Sequence, residues 1–482
     1  MKTKLLAVLS ASLLSLSGPA LAQSAPRALG QSEVQQAAQQ HPQLVEQFGG
    51  AVEGPLADYV AGVGRRVAAQ TNLVNASGAY RVTLLNSPVR NAFAVPGGYV
   101  YVTRELLALM NSEDELAFVL GHEMGHVTAR HGQKRQTRST ITGIGAAIAQ
   151  VLTGSDVVGQ VAGQVGQGLL LGYSRSQENE SDSLGVRYIS AAGFDPYAAP
   201  RMLSAMGAAE SLDAQLAGRQ QSQTPSWSRT HPLSTDRVQR TRALAGQQRP
   251  PGIAAPQSRD RFLAAIDGMT YGDDPRQGIV DGRQFRHPGL RFKFTAPQGY
   301  TIENGAAAVT IAGSGGQAQF GTGRLSGGLD AYVGQVFRSL SSNGGQLTLP
   351  ATQTTTINGM PVAYATTRAS ANRSQVDVTV TAYRWDADSA YHFVTIVPAG
   401  AGVSPFRETI NSLAPMSASE AAAVRRRVID VVTVQRGDTA RSLAARMAFS
   451  DNQLDRFLVL NGLDANATLQ PGSKVKLIVY GS

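Results

Sequence analysis

Two histidines four residues apart with a glutamate between them, His122-Glu123-Met124-Gly125-His126, are the residues of this chain best placed to do chemistry. On a helix that spacing sets both imidazoles on one face, where they can reach a single zinc ion. Glu123 then projects beside the metal and can take a proton from a water held there. The pattern means this only if the stretch is helical. Ser112 with Glu115 three residues on reads as a capping box, and the acids Glu113, Asp114 and Glu115 favour the positive end of the dipole. Leu116, Val119, Leu120 and Val127 give the helix an apolar face.

A catalytic zinc needs three protein ligands and one open position. The third is sought in Tyr173 to Gly185, which reads as a helix ending at Gly193 with Pro196 beyond it. Glu178 and Asp182, four apart, share a face, and Glu180 points away from it. The pair makes sense as one carboxylate on the metal and one that orients a ligating histidine. An ordinary solvated helix would instead carry all three acids as surface charge.

The elements that must position these residues can be read around them. Residues 31 to 72 read mainly as helix and Tyr80 to Leu85 as a strand. Asn91 to Val102 reads as two extended segments about a Pro96-Gly97 turn. Ala92, Phe93, Ala94 and Val95 would form an edge strand beside the site, to which a peptide could add by main-chain hydrogen bonds. A plain hairpin is the competing reading. Residues 139 to 172 are rich in Gly, Ala, Ile, Val and Leu, broken by seven glycines from Gly143 to Gly168 and by Asp156. A membrane span needs about 20 apolar residues in a row. A buried helical hairpin or a mobile flap fits better, with membrane-surface contact as an alternative. Gly218 to Ser228 reads as a polar loop, and the Pro-rich residues 247 to 258 as a linker.

Beyond the linker the pattern changes. Leu290 to Phe294, Gln375 to Trp385 and Tyr391 to Val397 alternate as strands, and Asn358-Gly359 between two such runs is a strong hairpin signal. Leu329 to Leu340 is an amphipathic helix. Residues 259 to 415 are expected to form an α+β, sheet-rich domain, with His287 and His392 structural.

The chain opens like an exported protein. Lys2 and Lys4 precede the apolar run Leu5 to Leu16, and Ala20-Leu21-Ala22 supplies small residues for cleavage, so residues 1 to 22 read as a signal peptide. With no cysteine at the cleavage site, lipid anchoring there is excluded, and the expected compartment is the periplasm. The absence of cysteine throughout means that apolar cores, not disulfides, hold the fold. Basic residues exceed acidic ones by nine, mostly as scattered arginine, which fits a solvated surface and not a nucleic-acid partner.

Four ordered stretches go further than the histidine pair alone: Asn91 to Leu106, His122 to Gly132, Tyr173 to Asp182, and Thr230 to Arg237. Together, over about residues 35 to 245, they resemble the CAAX-prenyl-protease/HtpX-type zinc metallopeptidases, a gluzincin family with soluble periplasmic and mitochondrial inner-membrane members. The resemblance implies one zinc held by His122, His126 and Glu178, with Glu123 as general base. Asp182 falls on the family's ligand-orienting aspartate, and Ser181 stands where alanine is usual. His231 matches a histidine that approaches the metal. It would donate to the oxyanion or occupy the open metal position as a latch, and the lack of a visible pro-segment leans towards the latch. Arg237 matches an arginine that helps hold the carboxylate side. His131 belongs to the pattern without an evident role.

Residues 429 to 482 carry a second resemblance. Val432 to Thr439 with Ser442-Leu443-Ala444, then Leu460 to Leu463 and Leu469 to Leu477, look like a LysM module, strand-helix-helix-strand, of a kind that binds N-acetylglucosamine-containing glycans. It reads as separable, since every proposed ligand lies before residue 240.

The expected architecture is therefore α+β: a mainly helical zincin-type metallopeptidase domain with a small sheet (30 to 246), a sheet-rich α+β domain, and a small LysM-like module. The expected function is an exported zinc endopeptidase acting on polypeptides, with misfolded or misassembled envelope proteins as substrates and peptidoglycan as a partner of the tail. Two rivals stand beside it. One is a non-catalytic peptidoglycan-binding protein with a structural zinc, against which Glu123 argues. The other is a cell-wall peptide amidase.

Overall fold

The computed structural model describes residues 27–133, 172–216, 227, 231–249, 259–305, 308–340, 351–371 and 374–481. The proposed leader, nearly all of the Gly-rich stretch from 139 to 172, the loop from Gly218 except Trp227, and residues 250–258 of the linker lie outside them. Among the described residues no helix is long and apolar enough to cross a membrane.

The N-terminal part builds two helices, α1 (Gln31–Gln47) and α2 (Pro55–Ala68), then β1 (Arg81–Leu85), β2 (Ala92–Val95) and β3 (Tyr99–Thr103). These strands form one small sheet in the order β1-β3-β2, with β1 parallel and β2 antiparallel to β3. β2 is thus an edge. The β2–β3 turn needs Gly97 and Gly98, both at positive φ, because a Cβ on either would fall within 2.6 Å of a backbone oxygen.

A short helix α3 (Arg104–Leu109) leads through Met110-Asn111-Ser112 into α4 (Glu113–Thr128), which carries the histidine pair. The Ser112 side chain accepts from the Glu115 N–H as expected, but Glu115 reaches back to the Asn111 N–H at 2.7 Å, so the box is not reciprocal. The expected single apolar face is also too modest. Every residue of α4 from Glu113 to His126 is buried. Its three acids tolerate this because each is paired: Glu113 with Tyr59, Arg66 and Arg261, Asp114 with the Asp195 N–H, and Glu115 with Asn111.

Helix α5 (Arg175–Ala191) starts at a capping box between Ser174 and Gln177 and stops where Gly193 takes a φ of +81°. It crosses α4 backbone to backbone. A Cβ on Gly185 would come 3.1 Å from His122 N, and one on Gly125 would come 3.2 Å from Ser181 Cα. Helices α6 (Ala198–Leu216) and α7 (Thr235–Gln248) complete this part.

After the linker the chain departs from the expected division. Helix α8 (Arg259–Ile266) and β4 (Thr270–Tyr271) do not join the sheet-rich region: Phe262, Leu263 and Ile266 share one apolar core with α2, α3 and α4. The sheet-rich region lies beyond. A seven-stranded sheet there includes the Gln353–Ile357 and Met360–Ala371 hairpin, turning at Asn358 and Gly359, both at positive φ. An aromatic core of Phe285, Phe292, Phe294, Phe320 and Phe393 covers one face, and the helix Leu329–Ser339 packs on the other. His392 sits 2.9 Å from the Tyr332 hydroxyl, and burial lowers its pKa to about 4, in keeping with a structural role.

The tail forms the expected strand-helix-helix-strand unit, Arg427–Thr433, Ala440–Ala444, Gln453–Asn461 and Lys474–Tyr480. It does not stand apart. Its first strand pairs with β4, and Phe457, Leu460, Leu477 and Ile478 enter the same core as Leu106, Leu109 and Phe118.

The α4–α5 crossing gives a direct test. Gly185→Val should force the two backbones apart and cost roughly 1–3 kcal/mol in denaturant unfolding. It should also lower metal affinity, because the crossing sets α5 against the histidine pair. Unchanged unfolding and unchanged metal uptake would show that the close approach is not required.

Candidate metal centre

The site is assembled from three helices, each fixed by a local cap. The Ser112 cap sets the phase of α4, on which His122 and His126 lie one turn apart. The Ser174 cap sets that of α5, which presents Glu178 and, one turn on, Asp182. Ser234 accepts from the Arg237 N–H and starts α7 with Arg237 turned inward.

His122, His126, Glu178 and His231 each offer a donor atom, all within 4.8 Å of one another and all buried. The Nε2 atoms of His122 and His126 lie 3.0 Å apart. Glu178 Oε2 is 3.6 Å from His122 Nε2 and Oε1 is 3.5 Å from His126 Nε2. The two Glu178 separations are too long for good hydrogen bonds, and the whole set suits donors disposed about one shared point. Two imidazoles and a carboxylate are the donor set that zinc accepts, and the fourth donor, His231, comes from outside α4 and α5.

Electrostatics point the same way. Burial drives the affinity of His126 for a proton well below the ordinary imidazole range and lowers that of His122 against the pull of Asp182. Burial raises Glu178 well above the usual carboxylate range, with Arg237 opposing. Such a carboxylate is costly to ionise alone, and a dication at the shared point would remove that cost.

The outward nitrogens are held as well. His122 Nδ1 lies 3.0 Å from Asp182 Oδ1. Arg237 donates to both oxygens of Asp182, at 2.9 and 2.8 Å, and its third nitrogen lies 2.8 Å from Glu178 Oε2. Burial would raise Asp182, but the hydrogen bonds from Arg237 and His122 prevail and leave it lowered, hence ionised. On the other histidine, His126 Nδ1 is 2.9 Å from His131 Nδ1, and His131 Nε2 is 3.1 Å from Glu180 Oε2.

The last contact corrects the reading of α5. Glu180 does face away from the metal donors, with a side chain 55% exposed, yet it reaches fully buried His131 and through it His126. The sequence held a signal for this, since His131 stands five residues past His126. Its fit depends on the turn after α4, where Arg130 adopts a left-handed φ of +56° that no sequence rule anticipates.

Glu123 is fully buried next to the donors. Trp227 Nε1 donates to its Oε1 at 3.2 Å, and His231 Nε2 lies 3.4 Å from the same oxygen. Trp227 stacks on His231 with ring centroids 4.5 Å apart, and Tyr173 stacks on His126 at 3.7 Å. Neither aromatic was singled out from sequence. Trp227 stands in what read as a polar loop.

All four residues of β2 are buried. Ala92 and Ala94 join the main core, while Phe93 and Val95 pack with Ala37 and Leu44 of α1. Their side chains are therefore occupied, and what β2 offers at the edge is its main chain. A groove beside it is lined by Ala94, Val95, Pro96, His126, Val127 and Tyr173. At the other end, the Trp227 N–H donates to the Arg90 carbonyl, just before the strand.

Residues 56–245 match the family model Peptidase family M48, and residues 432–477 match the LysM domain model. The chain is 31% identical over 228 residues to a beta-barrel assembly-enhancing protease of Yersinia pestis, covering 45% of each protein. It is 30% identical over 224 residues to the protein of that name from Escherichia coli K12, covering 43% of this chain and 42% of that one. Mitochondrial metalloendopeptidase OMA1 of Schizosaccharomyces pombe is 33% identical over 189 residues, which cover 39% of this chain and 52% of the yeast protein. The chain thus spans about half the length of the curated relatives it matches. It carries an M48-type peptidase domain and a C-terminal LysM domain.

The two sides of the donor cluster can be separated by metal titration. Glu178→Gln should abolish stoichiometric uptake. Asp182→Asn and His131→Ala should weaken it about 10- to 100-fold, as expected for groups that orient a ligating histidine. Glu180→Gln should act in the direction of His131→Ala and no more strongly. Competition with a chelator of known affinity measures all four, and a larger loss in Glu180→Gln than in Glu178→Gln would overturn the assignment.

Proposed function

We propose that this chain, an M48-type peptidase domain joined to a LysM domain, is an exported zinc endopeptidase. The observation that carries the reading is Glu123: a buried carboxylate set against a cluster of two imidazoles and a carboxylate, on the same helix as two of them. A purely structural ion has no use for a base at that position. His122, His126 and Glu178 would hold one zinc. When bound, the ion polarises the scissile carbonyl and lowers the pKa of water towards neutrality.

The chain's own groups supply the rest. Glu123 takes the proton of the attacking water and delivers it to the leaving amine. Asp182 holds His122 in the tautomer that leaves Nε2 free to ligate, and Arg237 keeps Asp182 ionised. The main-chain edge of β2 aligns an extended peptide beside the groove, with Ala92 to Val95 contributing backbone and not side chains.

For His231 the geometry favours the latch. Its imidazole is one of the four converging donors and is clamped by the Trp227 ring, in the place an entering substrate would need. Opening would require the His231 segment and Trp227 to move together.

The substrates we propose are misfolded or misassembled envelope polypeptides, in keeping with the names of the relatives. The leader-like N-terminal sequence supports export to the periplasm. The LysM domain supports peptidoglycan as the partner of the tail.

Glu123→Gln should abolish casein cleavage while metal content stays near one ion per chain, because the amide keeps the shape but accepts no proton. Substantial residual cleavage would sink the mechanism. His231→Ala should raise basal cleavage of casein if the residue is a latch. A fall in turnover of about 100-fold or more would assign it to the oxyanion instead, and unchanged activity would remove both roles.

A further inference from the structure

The two helices that lead into the proposed active site meet at a corner, Met110-Asn111-Ser112. The last turn of α3 leaves carbonyls there that no helical partner can satisfy, and burial keeps water from them. The donor comes from the far end of the chain. Lys476, fully buried on the last strand of the LysM domain, donates from Nζ to the carbonyls of Ala108 and Met110, both at 2.6 Å. Asn461 fixes that lysine's own backbone in both directions, at 2.7 and 2.9 Å.

The neighbouring residue of the corner is tied to the same unit. Asn111 Nδ2 donates to the Leu460 carbonyl at 3.3 Å, and Arg259 bridges the Asn111 and Lys474 carbonyls at 3.2 Å each. From Asn111 the connection runs directly into α4, because its N–H is held by Glu115 in the first turn of that helix. His122 lies two turns further on. Burial also lowers the lysine's proton affinity well below its ordinary value, with Glu115 opposing.

We infer that the C-terminal domain is a built-in support of the peptidase site, with Lys476 as a positioning residue that fixes the corner from which the metal-binding helix starts. The inference rests on the peptidase reading above for its kinetic consequence but not for its structural one. A domain tethered only by a linker would not fill carbonyls in its neighbour's core. Whatever the tail binds is thereby joined rigidly to α4.

The test uses full-length protein carrying Lys476→Met, which keeps the length of the side chain and removes its donors. Arg441→Met, on the exposed face of the same domain, is the control. In Lys476→Met, hydrogen exchange should quicken in residues 104–121 as well as in 474–480, with the 353–398 sheet unaffected. The kcat on casein should fall about tenfold or more at unchanged KM and unchanged metal content, as a small misplacement of catalytic groups predicts. Arg441→Met should change neither. Quickened exchange confined to 429–481, or wild-type kcat, would overturn the inference. Should Lys476→Met fail to fold, Asn461→Ala loosens the same strand and is read by exchange in 104–121, where no change would overturn it equally. Failure of the peptidase reading would appear separately, as casein cleavage surviving in Glu123→Gln.

Discussion

Arg237 lies between Asp182 and Glu178 in a space closed to water, and the arrangement of the donors depends on that one guanidinium. Carboxylates packed this closely repel one another, and burial resists the ionisation of each. The planar fork resolves this for Asp182 by meeting both of its oxygens, which a lysine could not do with the same geometry. Asp182, kept charged, can hold His122. Glu178 receives only one contact from the arginine and retains an oxygen turned to the shared point. One cation thus divides two similar acids on one helix face into two different jobs.

The same accounting extends along α4. Helices on protein surfaces have one wet side, but this one is enclosed from Glu113 to His126, and its acids are met by partners from α2, from the turn after α5 and from the post-linker helix α8. Enclosure of this kind removes the rotational slack that a half-exposed helix would have. The glycines at its crossing with α5 remove the remaining gap. The donors are then held by backbones in contact, not by long side chains reaching across a space.

Much of this was legible beforehand, and the reasons differ from residue to residue. His122, Glu123 and His126 announce themselves because helical spacing alone makes them neighbours. That Glu178 and Asp182 share a face follows from the same periodicity, whereas which of the two would ligate came only from the family resemblance. The Asn358-Gly359 turn and the Leu329–Ser339 helix were readable because local conformational preference decides them. What stayed hidden depends on long-range contact. His131 acquires its partner through a left-handed Arg130, Trp227 through a contact with Glu123 about a hundred residues away, and Lys476 through a surface met more than 360 residues away. Lysine in a strand that alternates reads as solvent-facing, and only the packing of the tail makes it a core donor. The tail, expected to stand apart, shares the peptidase part's core for the same reason.

The chain contains two tryptophans, and the fold places them in contrasting settings. Trp385 stacks on Tyr391 in the sheet-rich region, with ring centroids 4.6 Å apart. Trp227 lies against His231 and donates to Glu123. Indole emission is sensitive to a neighbouring imidazole and to exclusion of water, so one fluorophore reports the approach to the metal donors while the other serves as an internal reference. With no cysteine in the sequence, a single thiol introduced at a chosen position would take a label unambiguously. The protein therefore carries an intrinsic optical probe beside His231 and Glu123, readable in solution and without a substrate.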